Sequence, residues 1–521
     1  MAEAIAASGG GVSRWLPRGA AVAAGAAAGL AQPPFGFLPG LLGYAAILVL
    51  LERAAPAATL KSAFARGWLA GVGYFFVCLW WLTEPFQVDA VHQGWMAPFA
   101  LALVTAGMAL FWGAAGLLYR LLAPRHVGRV LVFAGVFAGF EWLRGHVLTG
   151  FPWDLPGETW RAGSPMSQTA ALVGAYGLSW VTLALAAAPA VIAQGWPGRA
   201  SLAGALLALA ALYGYGADRL RQPSGGGALR LRIVQANIAQ ASKYDPAMFD
   251  SIVRRYLALT TEPAPRPVDV VIWPEGAIPA AIGDYLAPGT WTRAAITEAL
   301  SPGETLILGG YRFAGQGSSA VAYNTLAVFR RTGSDLVFLG LYDKFRLVPF
   351  GEFIPFDALA DRLGIKAFVH VGEGFAPGPR PRPLRIGGLP LFQPLICYEA
   401  LYPGFTREGA KAAGKRPEWI VNVSNDAWFG ATSGPLQHLN MASYRAIEEG
   451  LPMVRATPTG VSAVIDGYGR TIASLPIGAM GVIDDTLPSA LAPTPFTRLG
   501  GIPFAILCAL SLGAAGWRKW R

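Results

Sequence analysis

Long apolar runs dominate the N-terminal part of the chain, at roughly 19–32, 36–52, 67–85, 93–119, 129–145, 166–194 and 199–216, and one more lies at roughly 498–516. A helix needs ~20 consecutive apolar residues to cross the hydrocarbon core of a bilayer. Several of these runs reach that length, while the first two are short and rich in Gly and Ala. The series predicts eight spans, about seven of them in an N-terminal bundle over 1–217. A content of 54% apolar and 14% charged residues fits a membrane protein rather than a soluble globular one. The first run ends in "GLAQ", which has the small residues of a signal-peptide cleavage site. The unbroken series of later spans favours an uncleaved anchor.

Placing alternate loops on opposite sides puts Arg14, Arg18, Arg53, Lys61, Arg66, Arg120, Arg125, Arg129, Arg199, Arg518, Lys519 and Arg521 on one side, against Arg144 and Arg161 on the other. The first side is then cytoplasmic, with both termini inside and residues 218–497 outside. Topology accounts for much of the net charge of +10, and no basic stripe interleaved with aromatics points to nucleic acid.

The segment 218–497 opens on a linker, "RQPSGGGALR", and then changes character to strand patterns and polar turns. Strands are predicted at 229–237, 268–274, 304–310, 323–329, 335–343, 389–398, 418–426 and 461–469, with helices at about 246–260, 289–300 and 434–449. Apolar strands alternating with helices imply an α/β layered domain around a buried sheet. Residues 498–521 form the last span and a basic tail.

Three polar residues stand at strand ends in this domain: Glu275 after "VVIWP", Lys344 after "LGLYD", and Cys397 at the end of "LPLFQPLI". In layered α/β domains reactive groups collect at such ends. A cysteine thiol is only a few per cent thiolate at neutral pH, so a nucleophilic cysteine needs a base, a cation, or both. Glu275 can take the proton. Lys344 can favour the thiolate and, with the Tyr398 amide, stabilise an oxyanion. Read singly, each residue has a plainer reading: a core cysteine, a turn glutamate and a solvated lysine. The other cysteines, Cys78 and Cys508, lie in apolar runs and read as small helix residues. The five histidines are scattered without metal-ligand spacing, so neither a zinc site nor a Cys/His mechanism is expected.

"WPEGAIP" around Glu275, "YDKFRLVPFGEFIP" around Lys344 and "LICYEALYP" around Cys397 resemble the three motifs of the apolipoprotein N-acyltransferases, the membrane branch of the nitrilase superfamily. "VNVSNDAWFG" (421–430) and the block 434–457 resemble the same family, as does the order of bundle, middle domain and last span. The resemblance implies an αββα sandwich carrying a Glu275–Lys344–Cys397 triad, with no cofactor and no metal. It implies transfer of a fatty acyl chain from a phospholipid, typically phosphatidylethanolamine, through a thioester on Cys397 to the α-amino group of a diacylglyceryl-cysteine at a lipoprotein's N-terminus. It further implies a monomer in the bacterial inner membrane with its catalytic domain on the periplasmic side. Glu352, Tyr398 and Glu399 enter the site by the same resemblance, and Trp428 and Asn324 fall near the pocket.

Glu352 sits among Val348, Phe350, Phe353, Ile354 and Phe356, where an unpaired charge is costly, so Lys344 is its expected partner. The apolar loop 345–356 either dips into the outer leaflet or packs onto its own domain. Two positions depart from the family pattern: Tyr244, in "SKYDPAM", replaces a tryptophan, and Arg346 replaces a common histidine. Altered lipid gating or preference is the expected consequence, and the varied segment 456–466 bears on acceptor contacts. Two other readings stay open at this stage. One is a membrane-tethered amidase that hydrolyses its thioester with water; the other is a silent lipid-binding scaffold.

Overall fold

The computed structural model of the protein describes residues 2–53, 59–315, 317–354 and 374–516, and the side chains of 2–15, 59 and 318 are outside that description. Arg518, Lys519 and Arg521, and the loop end with Phe356, also lie outside the described residues. The chain divides into two compact units, one of Met1–Gln222, Leu436–Tyr444 and Thr494–Arg521, the other of Pro223–Pro435 and Arg445–Pro493.

The first unit is helical. All eight apolar runs lie in helices, which include Ala2–Leu30, Leu42–Glu52, Thr59–Leu79, Ala97–Leu122, Arg129–Arg144, Ala170–Ala187, Trp196–Arg221 and Ile502–Gly516. Among the described residues, four helical stretches, Leu60–Gln87, Ala90–Leu122, Met166–Gln194 and Trp196–Arg221, are long and apolar enough to cross a bilayer. Leu38–Glu52 and Ile502–Gly516 are apolar but shorter. Small residues let these helices approach closely, as packing in lipid requires. A Cβ on Gly67, for instance, would sit 2.3 Å from the Trp112 carbonyl oxygen. Trp112 in turn donates to Glu141 Oε1 and stacks on Tyr74, so the buried carboxylate of Glu141 is shared between this indole and Arg144.

The second unit is built on two sheets. The first contains β1 (Gly226–Gln235), β2 (Val270–Trp273), β3 (Thr305–Ala314), β4 (Val321–Thr332), β5 (Asp335–Asp343) and β11 (Gly481–Pro488), in the order β11-β1-β2-β3-β4-β5. The second contains β6 (Phe392–Ile396), β7 (Trp419–Val423), β8 (Met453–Ala456), β9 (Ser462–Ile465) and β10 (Thr471–Leu475), in the order β10-β9-β8-β7-β6. The strands β1, β2 and β3 run parallel, as do β6, β7 and β8, and antiparallel strands flank both groups.

Side chains alternate between the faces of a strand, and β2 shows what this does here. Val270 and Ile272 join Ile307, Val328, Phe392, Ile396, Val421 and Val454 in a core between the sheets. Val271 and Trp273 point the other way, into a second core with Ile252, Tyr256 and Ile296 from the helices Phe249–Thr260 and Trp291–Ala299. Because both faces are covered, "VVIW" is apolar throughout rather than alternating. The result is the layered αββα domain, with its ordered strand ends in two parallel groups.

Candidate active site

Each of the three motif residues follows directly on a strand. Glu275 comes two residues after β2, Lys344 one after β5, and Cys397 one after β6. The first two therefore belong to one sheet and the cysteine to the other, and the sheets' packing is what lets them meet. Gly309 in β3 makes room for the acid, since a Cβ there would stand 2.6 Å from the Glu275 Cα. Lys344 is fixed to β4 through its backbone N–H, which donates to the Asn324 carbonyl at 2.8 Å.

The polar groups form one connected cluster. Lys344 Nζ lies 2.9 Å from Glu352 Oε1 and 3.5 Å from Glu275 Oε1. Asn324 Nδ2 donates to the same two oxygens, at 2.7 Å each. Both carboxylates are thus held by the same two donors. All four residues are buried, Lys344 to 1% exposure. Burial alone would lower the Lys344 pKa, but the charges of Glu352 and Glu275 outweigh it and raise it, so the side chain stays an ammonium.

Cys397 is the strained member. Its φ of +48° lies in the left-handed region that L side chains other than Asn and Asp seldom enter. The strand therefore turns sharply at the sulfur and runs on into the short turn Cys397–Leu401. Burial pushes the thiol up to about 12, the nearby charge of Glu275 adds to the rise, and Lys344 and a hydrogen bond with Ser424 pull against it. At neutral pH the sulfur rests as a thiol beside a carboxylate. All three cysteines of the chain are outside disulfides.

The two supporting glutamates do different work. Glu352 Oε2 accepts from the Val348 N–H at 2.8 Å while Oε1 meets Lys344, so it closes the loop 348–352 and pairs the lysine at once. Glu399 touches neither Glu275 nor Cys397 through a hydrogen bond. Its Oε1 accepts from Tyr342 Oη at 2.7 Å, the Phe345 N–H at 2.8 Å and the Arg346 N–H at 3.2 Å, and its Oε2 accepts from the Ile396 N–H at 2.8 Å. It ties the turn after β5 to the end of β6, and so fixes Lys344 relative to Cys397. Burial raises the Glu399 carboxyl to about 7 against the pull of these donors.

Tyr398 is buried, with its ring 5.3 Å from that of Tyr402, and Arg346 lies over the Tyr402 ring at 4.2 Å. Trp428 sits half-buried on the turn Asp426–Phe429, and Tyr244 is 64% exposed on the turn Ala241–Tyr244. Neither side chain hydrogen-bonds the carboxylate cluster among the described residues. The apolar loop divides: Leu347 is buried, whereas Phe350 is exposed on a left-handed backbone. No group of three or more His, Cys, Asp or Glu among the described residues is placed to hold a metal ion.

Sequence reasoning passed over a second layer. Arg455 and Asp426 form a fully buried ion pair at 2.6 Å, and Ser424 Oγ donates to Asp426 Oδ1 at 2.7 Å. Asn425 Nδ2 donates to Gln240 Oε1 at 3.0 Å, joining the segment after β7 to the turn that holds Lys243. The Asn- and Asp-rich "VSNDAWF" was the available signal, since short polar side chains at a strand end commonly bond to backbone and to one another.

Two sheets in this order, with a glutamate, a lysine and a cysteine at their strand ends, define a carbon–nitrogen hydrolase domain, and the family described as carbon-nitrogen hydrolase matches residues 230–495. The family described as apolipoprotein N-acyltransferase N-terminal domain matches residues 24–188. Over nearly the full length, the chain is 55% identical to the apolipoprotein N-acyltransferase of Caulobacter vibrioides, covering 95% of this chain and 94% of that one. It is 38% identical to the proteins of that name from Bradyrhizobium diazoefficiens and Rhodopseudomonas palustris, covering 97% of this chain in each case and 95% and 96% of theirs. The chain belongs to the apolipoprotein N-acyltransferase family.

Proposed function

We propose that the protein moves a fatty acyl chain from a membrane phospholipid, phosphatidylethanolamine foremost, onto Cys397 and then onto the α-amino group of a diacylglyceryl-cysteine at a lipoprotein's N-terminus. The observation that carries this reading is the buried thiol of Cys397 beside the Glu275–Lys344 pair, in a chain with four bilayer-length apolar helices.

In the first step the Cys397 sulfur attacks the ester carbonyl carbon, and its proton passes to Glu275. The carbonyl oxygen takes the negative charge, which Lys344 and the Tyr398 N–H stabilise. Collapse breaks the ester C–O bond, Glu275 returns the proton to the departing oxygen, and a lysophospholipid leaves behind a thioester. In the second step the acceptor amine attacks the thioester carbon. Glu275 takes a proton from the nitrogen, the C–S bond breaks, and the sulfur recovers the proton as the amide forms.

A raised thiol pKa suits this scheme better than a resting thiolate, because the same proton is needed twice at the same carboxylate. The chain is read as a monomer of the bacterial inner membrane, with both termini cytoplasmic, eight spans, and residues 218–497 on the periplasmic side, supported by the loop asymmetry of Arg and Lys. The test is mass spectrometry of the purified protein after incubation with phosphatidylethanolamine. An acyl mass on the Cys397 peptide, its release by a diacylglyceryl lipopeptide, and loss of both in Cys397→Ser are expected. Release to water at the same rate with and without lipopeptide would make the protein an amidase-type hydrolase instead.

A further inference from the structure

Lys243 is a half-buried lysine with an enclosed ammonium that the scheme above does not use. It sits on the turn Ala241–Tyr244, and its Nζ is enclosed without a hydrogen-bond partner among the described residues. The ammonium lies 3.5 Å from the place a Cβ on Gly276 would take, alongside the residue that follows Glu275. Burial lowers its pKa to about 8, and the charge that opposes the fall is that of Glu275. Its turn is pinned to the site by the Gln240–Asn425 hydrogen bond, and Asp245, which follows it, caps the next turn by accepting from the Ala247 N–H at 2.9 Å.

A second open group belongs to Glu275, the carboxylate whose charge acts on Lys243. Glu275 Oε1 is taken by Asn324 and Lys344, but Oε2 is buried and has no partner among the described residues. The Lys243 ammonium and this oxygen therefore do not hydrogen-bond each other, although they interact. Leaving a buried polar group unpaired is costly, and more so for a charge. Two such groups within reach of each other's charge describe the chemistry of what they could both engage: an atom that accepts from an N–H and exchanges a proton with a carboxyl oxygen.

An ester's departing oxygen meets both requirements. We propose that Lys243 is a catalytic residue of the acylation step, its ammonium donating a hydrogen bond to the alcohol oxygen of the lipid as the ester C–O bond breaks; this rests on the thioester reading above. The proton that reaches that oxygen comes from Glu275, which had taken it from Cys397, and Lys243 keeps its own. The incoming amine of the second step has no such use for an ammonium, which would compete with it for Glu275. Lys243 thus serves acylation and not transfer.

The experiment compares two acyl donors with full-length protein in detergent: phosphatidylethanolamine, whose leaving oxygen is an unactivated alcohol, and a nitrophenyl ester of the same fatty acid, whose leaving group needs little assistance. Lys243→Met should slow formation of the Cys397 thioester from the phospholipid on the order of 10²-fold, the effect of removing one donor to a developing oxyanion. With the nitrophenyl ester the loss should be at least about tenfold smaller. Transfer from the thioester, loaded with the nitrophenyl ester, to a diacylglyceryl lipopeptide should keep its rate. An equal loss with both donors, no loss with the phospholipid, or a slowed transfer step overturns the assignment. A wild-type protein that forms no Cys397 thioester with either donor removes the underlying reading as well, a result distinct from the other three.

Discussion

Lys344 Nζ stands closer to Glu352 Oε1, at 2.9 Å, than to its motif partner Glu275, at 3.5 Å. The lysine is anchored by Glu352 and only leans on Glu275, the base of the proposed scheme.

Removing Glu352 should therefore disturb the lysine more than the base. Breaking a buried pair by deleting one partner costs about 3–5 kcal/mol, because the other charge is left uncompensated. Glu352→Ala also frees the Val348 N–H, so thermal unfolding in detergent should shift clearly downward. Glu352→Gln keeps an acceptor for Val348 and should unfold nearer to wild type. Its thioester formation should still fall on the order of 10²-fold, since Lys344 is no longer held. A Gln variant with wild-type acylation would show that the second carboxylate is dispensable.

The pKa of Cys397 gives a pH test. With the thiol raised to about 12, the thiolate fraction grows tenfold per pH unit through neutral and mildly alkaline pH. Alkylation by iodoacetamide, which takes no help from Glu275, should rise steadily from pH 7 to pH 10 without a plateau; Lys344→Met, which removes the cation that pulls the pKa down, should be slower throughout. The linkage has a matching sign. The folded value lies above the ordinary thiol value of 9.0, so this contribution to stability is complete below that pH and lost as pH rises toward 12. A plateau in the alkylation rate near pH 7 would mean a resting thiolate and a different division of labour in the site.

How far the sequence could be read depended on whether a residue's role was local. Glu275, Lys344 and Cys397 could be placed at strand ends from the sequence, and the motifs around them singled them out; β2 and β6 are buried throughout, whereas β5, before Lys344, is an edge strand with exposed positions. The strands Met453–Ala456, Thr471–Leu475 and Gly481–Pro488 were not. The first is four residues long with a buried Arg455, whose charge is met by Asp426 from beyond another strand, and the other two are partly exposed with no clean alternation. The predicted strands at 418–426 and 461–469 ran past their ladders, which stop at Val423 and Ile465, because the polar letters beyond them belong to the site and to turns. The eight apolar runs all became helix, yet among the described residues hydropathy and length together single out four as long and apolar enough to cross a bilayer, since shorter runs carry less of either. Glu352 and Glu399 could be placed at the site but not told apart. Their difference lies in which backbone N–H groups each accepts, a property of the folded turns. Lys243, in the polar stretch "ASKYDP", reads as a surface lysine; only the packing of its turn near Gly276 encloses its ammonium.

Asn324 was the least conspicuous of the predicted site residues, and the geometry gives it a sharp test. Its Nδ2 donates to Glu275 Oε1 and Glu352 Oε1 at 2.7 Å each, standing between two carboxylates that would otherwise face each other across a single ammonium. Asn324→Asp keeps size and shape but replaces the donor with a third acceptor. The like charges must then protonate or separate, and separation moves Lys344 away from Glu275. Acyl transfer should fall on the order of 10³-fold, the upper part of the range for loss of one donor aimed at a reacting group. Asn324→Ser loses the reach of the amide without adding charge, so it should fall less and should unfold nearer to wild type. Lowering the pH should restore part of the Asp variant's activity by protonating one carboxyl, and should not help the Ser variant. The readout is thioester formation on Cys397 across pH 5 to 8 for the three proteins. If Asn324→Asp matches the wild type at every pH, the bridging amide does no more than fill space.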